Sequence, residues 1–355
     1  MFAKNNRTAH TTTLIILAAC LAPAMLKAQP GAKEPQAMAK DVNGNYNTTG
    51  ILEKYDAALE NIISPNAKAE MVAEGFKWSE GPLWVPALNA VLFSDVPANA
   101  IYYWNEQNGL RQWLKPSGYS GEGPYSREPG SNGLLLDAKG NLVLCQHGNR
   151  QMARMKSTLQ QPVPVFETIA SQYNGKKLNS PNDAAFDKKG NLYFTDPPYG
   201  LPRQMMDSTK ETPWQGVYKV DKKGKVTLLV DSIARPNGIA FFPGYKSLLI
   251  ANSDPAKAVW YYYDIQGDKL VNGRIFFDAT TKDRTMRGLP DGLKIDAKGN
   301  VIASGPGGIY FFDRNGKKLG LLKLEQPASN LALSADEKTM YITNNQHLLR
   351  VKLRD

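Results

Sequence analysis

The sequence predicts an all-β protein, a six-bladed β-propeller preceded by a short N-terminal helix and tether. Three observations predict it. A polar residue followed by a short apolar run, a turn and a second apolar run recurs six times, starting at residues 80, 132, 182, 237, 291 and 330. The spacings of 52, 50, 55, 54 and 39 residues suit a propeller blade of about four short strands. Between the copies lie further strand-like runs, such as Gly216-Val217-Tyr218-Lys219-Val220 with Val226-Thr227-Leu228-Leu229-Val230. The 30 Gly and 23 Pro supply the turns such a fold needs, and no sustained 3.6-residue period supports a helical solenoid.

Taken in order, residues 1–28 read as a secretory signal. Lys4 and Arg7 form the positive region, an apolar segment begins at Leu14, and Leu26-Lys27-Ala28 places cleavage before Gln29. Leu17-Ala18-Ala19-Cys20 offers a second reading, a lipobox with Cys20 lipidated, and only then is the protein membrane-attached. Both readings export it, as a periplasmic or secreted protein or as a lipoprotein. Residues 29–66 are expected to hold a tether and a short helix. Gln29–Gly50 is polar with no apolar period, as a flexible tether would be. Ile51, Tyr55, Leu59 and Ile62 then recur at helical spacing, predicting an amphipathic helix over 51–63 that ends before Pro65. The propeller takes residues 67–355, and no stretch after residue 30 is long and apolar enough to span a bilayer.

Within the propeller, Glu80-Gly81-Pro82-Leu83-Trp84 opens the first copy and Asn132-Gly133-Leu134-Leu135-Leu136 the second. Asn182-Asp183-Ala184-Ala185-Phe186 and Asn237-Gly238-Ile239-Ala240-Phe241 open the third and fourth. Asp291-Gly292-Leu293 and Asn330-Leu331-Ala332-Leu333 open the last two. Turns of the form Asp187-Lys188-Lys189-Gly190-Asn191 join the first two strands in several copies.

The formal charge is +10, but Lys4, Arg7 and Lys27 belong to residues 1–28, which hold no acids, so the remainder carries +7. Its lysines and arginines are scattered through turns, which favours a solvated basic surface over nucleic-acid binding. The two cysteines, Cys20 and Cys145, provide neither a disulfide framework nor a thiolate metal site, and Cys145 reads as a small buried hydrophobe. His-Glu-x-x-His, a Walker loop, Gly-x-Ser-x-Gly and a Rossmann fingerprint are all absent.

Equivalent positions of a propeller lie at equivalent heights around its axis. The leading residues Glu80, Asn132, Asn182, Asn237, Asp291 and Asn330 all carry a side-chain oxygen. Converging at one mouth of the channel, they would form a hard, oxygen-rich site suited to a divalent cation such as Ca²⁺. Asn and Asp also begin turns for local reasons, and Asn132, Asn182 and Asn330 are equally suited to hydrogen-bonding loops. Glu80, a poor turn residue, argues for the shared site.

Ser79-Glu80-Gly81-Pro82-Leu83-Trp84, Leu178-Asn179-Ser180-Pro181-Asn182-Asp183, Arg235-Pro236-Asn237-Gly238 and Pro290-Asp291-Gly292 together resemble the regucalcin/gluconolactonase (senescence-marker-protein-like) family. That family of six-bladed propellers also resembles diisopropyl-fluorophosphatase. Gluconolactonase-like members are similar too in Cys145-Gln146-His147-Gly148-Asn149-Arg150 and Phe194-Thr195-Asp196-Pro197-Pro198-Tyr199-Gly200. The resemblance implies a metal held by Glu80, Asn237 and Asp291, most simply Ca²⁺, with Mg²⁺, Mn²⁺ or Zn²⁺ as alternatives. It implies hydrolysis of a sugar lactone, with Asp291 activating water and Asn182 beside the metal as a catalytic donor and substrate contact. Regucalcin has an arginine two residues before its counterpart of Asn182, where this chain has Ser180.

His147 follows the second strand of its copy and reads either as a substrate donor or auxiliary base, or as a hydrogen-bonded structural histidine. Asn132, Asp196 and Tyr199 are further candidates for substrate contact, although Asp196-Pro197-Pro198-Tyr199-Gly200 is equally a rigid loop. His347 reads as a turn residue, and Trp78, Trp84 and Trp104 as blade-packing aromatics. Two other functions fit this sequence: an exported hydrolase of another ester or an organophosphate, and a propeller that binds a ligand without catalysis.

Overall fold

In a computed structural model, described over residues 34–354, six antiparallel blade sheets follow one another along the chain, with a small two-stranded sheet of Gln172–Tyr173 and Lys176–Lys177 between the second and third. The signal and lipobox readings, including Cys20, lie outside the described residues. The first blade pairs Ser79–Val85, Ala90–Asp95, Ala100–Asn105 and Gly109–Leu114 in order. The second to fifth blades start with innermost strands Ser131–Leu136, Ala184–Phe186, Pro236–Phe241 and Leu293–Ile295. In the sixth, Asn330–Leu333, Thr339–Asn344 and His347–Lys352 are completed by Ala69–Glu74 from the other end of the chain. That last pairing closes the ring, with Leu348 opposite Ala73 and Val351 opposite Ala69.

The turns explain why each hairpin forms where it does. The Asp187 side chain accepts hydrogen bonds from the backbone amides of Lys189 and Asn191, and Gly190 takes φ +80°. Asp137, Asp221, Asp296 and Asp313 repeat this arrangement, so one Asp-x-x-Gly device sets five hairpins.

Apolar side chains from facing blades fill the six gaps between neighbours. Trp104 and Phe93 of the first blade pack with Tyr341 and Leu348 of the sixth, and Trp260 of the fourth packs with Tyr310 and Phe312 of the fifth. Each such side chain removed from water contributes roughly 1.5–3 kcal/mol. Cys145 is buried in the cluster between the second and third blades.

The N-terminal expectations need two corrections. The helix over 51–63 is absent. Ile51–Lys54 is a strand added to the outer edge of the fifth blade, with Lys54 opposite Gly320, and Ala57–Asn61 is a 3₁₀ turn capped by Asp56. The helical spacing did not mark one buried face: Leu59 and Ile62 enter the core, whereas Ile51 and Tyr55 are exposed. An edge strand carries a row of unpaired backbone groups, and satisfying those outweighs the local pattern. The same force acts on the expected tether. Gln36–Ala37 and Thr48–Thr49 pair with Ala69–Glu74 on the sixth blade.

Candidate functional site

The leading residues of five copies line one cavity of about 370 Å³: Glu80, Asn132, Asn182, Asn237 and Asp291. The glycine after several of them has a physical role. A Cβ at Gly81 would lie 2.0 Å from the Asn132 carbonyl oxygen, and one at Gly238 2.2 Å from that of Asp291. Inner strands crowd at the axis, so a residue without a side chain follows the polar one at Gly81, Gly133, Gly238 and Gly292, whereas Asp183 follows Asn182 and Leu331 follows Asn330.

Each polar side chain is held from behind. Glu80 accepts hydrogen bonds from the Gly81 amide at 3.0 Å and from the Trp78 indole at 3.4 Å. The Asn237 amide nitrogen donates to Ser253 Oγ at 2.9 Å, and that hydroxyl donates to the Pro290 carbonyl at 2.6 Å. This ties Asn237 to the residue preceding Asp291. For Asn182 it is the backbone that is fixed, its N–H donating to the Thr195 carbonyl at 2.9 Å within the third blade.

The electrostatics are unbalanced. Burial pushes Glu80 up to about 8, with nearby Asp183 and Glu128 adding to the rise. Burial also raises Asp291 well above the usual carboxylate range, and the charge of Glu80 raises it further. Two buried carboxylates repelling each other beside amide oxygens form a site that a divalent cation would neutralise. The carboxylates of Glu80 and Asp291 and the carboxamides of Asn182 and Asn237 offer oxygen toward a cation, a hard donor set and not a zinc-type one of His and Cys. Glu80, Asn182, Asn237 and Asp291 fit such an ion.

The other candidates are placed differently. Asn330 is diverted: its carboxamide lies against Gly292 and accepts from the Leu331 amide at 2.8 Å, while Pro327 and Ala328 line the cavity instead. Tyr199 lines the cavity, and burial together with the charge of Asp291 holds its hydroxyl protonated. Asp196 is not on the cavity wall. It is fully buried and accepts from the Asn179 amide at 2.8 Å, holding the segment that delivers Asn182. Ser180, also fully buried, donates to the Pro197 carbonyl at 2.5 Å and accepts from the Gly200 amide at 2.9 Å, fixing the loop that carries Tyr199.

His147 also lies behind the wall. It is 0% exposed, and neither ring nitrogen has a hydrogen-bond partner among the described residues. Burial depresses it to about 3, so the folded protein holds it neutral. The folded value lies below the unfolded one of about 6.5, so its contribution to stability is complete above pH 6.5 and is lost as pH falls towards 3. Near pH 5 that loss is about 2 kcal/mol. His147→Leu is therefore expected to unfold less steeply than wild type between pH 7 and 5 in urea titrations. Parallel pH profiles for the two proteins would contradict this assignment.

Among the polar and aromatic residues on the cavity wall, sequence reasoning gave no site role to Trp78, Glu128, Arg235 and Ser253. Trp78 is a cavity residue and not only a packing aromatic. Arg235 stands in a quoted motif, two residues before Asn237, and brings a guanidinium to the wall from the fourth blade. Glu128 lies in the polar loop between the first and second blades, which has no period to flag it.

The comparisons with known proteins agree with this architecture. The family model described as SMP-30/Gluconolactonase/LRE-like region matches residues 78–346. The gluconolactonase of Zymomonas mobilis subsp. mobilis is 36% identical over 325 residues, covering 90% of each chain. Diisopropyl-fluorophosphatase of Loligo vulgaris is 27% identical over 192 residues, 52% of this chain and 60% of that one. A solved structure from Xanthomonas campestris, described as a gluconolactonase important in glucose secondary metabolic pathways, is 26% identical. It superposes with a TM-score of 0.74 over 91% of this chain and 99% of that chain. With its six blades and the match across most of its length, the chain belongs to the SMP-30/gluconolactonase/LRE-like family.

Proposed function

We propose that the protein is a metal-dependent lactonase that opens a sugar lactone to its hydroxy acid. The observation that carries this reading is the meeting of two mutually repelling buried carboxylates, Glu80 and Asp291, with Asn182 and Asn237 on one cavity. The 36% identity to a gluconolactonase over nine-tenths of both chains supports a lactone as substrate. Glu80, Asn237 and Asp291 would hold the cation, with Asn182 beside it and Ca²⁺ the simplest choice for an all-oxygen donor set. When bound, the cation supplies Lewis acidity at the lactone carbonyl and returns the two carboxyls to their ionised forms.

The chain's own residues do the rest. Asp291 takes a proton from water as the water oxygen bonds to the carbonyl carbon. The Asn182 amide donates to the carbonyl oxygen as negative charge develops there. Arg235 and Tyr199, which line the same cavity, offer donors to the sugar hydroxyls, while Trp78 supplies an apolar surface. The relationship to diisopropyl-fluorophosphatase over half the chain favours a second reading, hydrolysis of a phosphorus ester at the same site.

A panel of aldono-1,4- and 1,5-lactones with diisopropyl fluorophosphate, followed by acid release, separates the two. Turnover of at least one sugar lactone that falls more than tenfold on chelation is the expected result. Turnover of the phosphorus ester alone would favour the second reading. No turnover with Ca²⁺, Mg²⁺, Mn²⁺ or Zn²⁺ would defeat both.

A further inference from the structure

We propose that Glu128 is the general acid that protonates the departing ring oxygen of the lactone, and that His147 is its positioning residue; this rests on the lactonase reading above. Glu128 stands on the same cavity wall as Asp291 but comes from the loop between the first and second blades. Its place is fixed by backbone clamps on the two residues that follow it. The Gly130 amide donates to the Val96 carbonyl at 2.9 Å, the His147 amide to the Gly130 carbonyl at 3.1 Å, and the Gly148 amide to the Pro129 carbonyl at 3.2 Å. A Cβ at Gly148 would meet the Pro129 carbonyl oxygen at 2.6 Å, so this approach needs glycine. The clamps set Glu128 beside His147, with Nδ1 3.6 Å from Oε2.

That distance is about 0.5 Å beyond a normal hydrogen bond, and both ring nitrogens of this fully buried histidine lack any other partner. An unpartnered buried imidazole is costly, and most such groups have a reason to be there. Here the ring backs the one cavity carboxyl to which the metal and base roles assign nothing. Burial raises Glu128 to about 7, which keeps much of it protonated near neutrality although 27% of its side chain is exposed. Glu80, Asp291, Tyr199 and Arg235 share that cavity. Glu80 and Asp291 belong to the metal and base roles, and the Tyr199 hydroxyl is held too weakly acidic to give up its proton.

The step balances. Water loses a proton to Asp291 as its oxygen bonds to the carbonyl carbon. The bond from that carbon to the ring oxygen breaks, its electron pair stays on the ring oxygen, and the Glu128 carboxyl supplies the proton. The hydroxy acid then ionises, and solvent returns Asp291 and Glu128 to their starting forms.

The test compares D-glucono-1,5-lactone, whose leaving group is an alkoxide, with dihydrocoumarin, whose leaving group is a phenolate that needs protonation far less. Glu128→Gln is expected to lower kcat on the sugar lactone about 100-fold, a loss at least ten times that on dihydrocoumarin. Equal losses on the two substrates, or none, overturn the assignment while leaving the lactonase reading intact. A wild type inactive on both removes the lactonase reading and this role with it. His147→Leu should lower kcat about tenfold with KM unchanged, and His147→Asn, whose amide replaces the Nδ1 donor, should recover most of that loss. If both variants lose kcat equally in step with thermal stability, His147 only packs.

Discussion

Asp291→Asn is expected to lower kcat for a sugar lactone roughly 1,000-fold, within the range of a lost general base. The amide fills the same space and keeps an oxygen for the cavity, so the variant loses the carboxylate's basicity together with its negative charge toward the cation. The fold should survive, because Asp291 is a source of strain in the metal-free protein: burial and the charge of Glu80 both disfavour its ionised form. Metal-free Asp291→Asn should therefore melt at or above the wild-type temperature at pH 8. A variant that keeps a tenth or more of wild-type kcat would move the base to another residue. One that melts lower without metal would contradict the electrostatic account.

Glu80→Gln should separate metal binding from folding. The folded carboxyl is raised to about 8 from an ordinary 4.5, so the neutral form is favoured in the fold. Its contribution to stability is complete below pH 4.5 and is lost as pH rises through about 8. Chelated wild type should thus lose stability between those limits relative to Glu80→Gln. At pH 8 the variant should melt higher, on the order of 5 °C. Added metal should then raise the wild-type melting temperature and leave the variant nearly unmoved. Equal metal-induced shifts in both proteins would remove Glu80 from the donor set.

The blades were legible because their signal is periodic. Each copy carries a polar residue at or within two residues of the start of its innermost strand, and turns such as Asp187 to Asn191 recur with the same hydrogen bonds. Ile51–Lys54 was not legible, because its partner Lys318–Lys323 lies more than 250 residues away and local spacing imitates a helix. Gln36–Ala37 and Thr48–Thr49 were missed for the same reason: nothing in a polar segment announces the sheet edge it will cover.

The site shows a similar division. Glu80, Asn182, Asn237 and Asp291 could be aligned by position in the repeat, and the fold brings them to one cavity. Asn330 shares that position yet turns away, because Gly292 leaves space for its carboxamide. Asp196 looked like a pocket residue but braces Asn179. Glu128 comes from a loop with no pattern, and only the clamps at Gly130 and Gly148 reveal where it points.

Lactone hydrolysis here depends on one divalent cation held by Glu80, Asn237 and Asp291, with Asn182 beside it. The most direct measurement titrates Ca²⁺ into chelator-stripped wild type while following D-glucono-1,5-lactone turnover in the same samples, with Glu80→Gln alongside. The account predicts one saturable site per chain, activity rising in proportion to its occupancy, and the loss of both in the variant. Full activity in the stripped protein, or unchanged binding by Glu80→Gln, would contradict it.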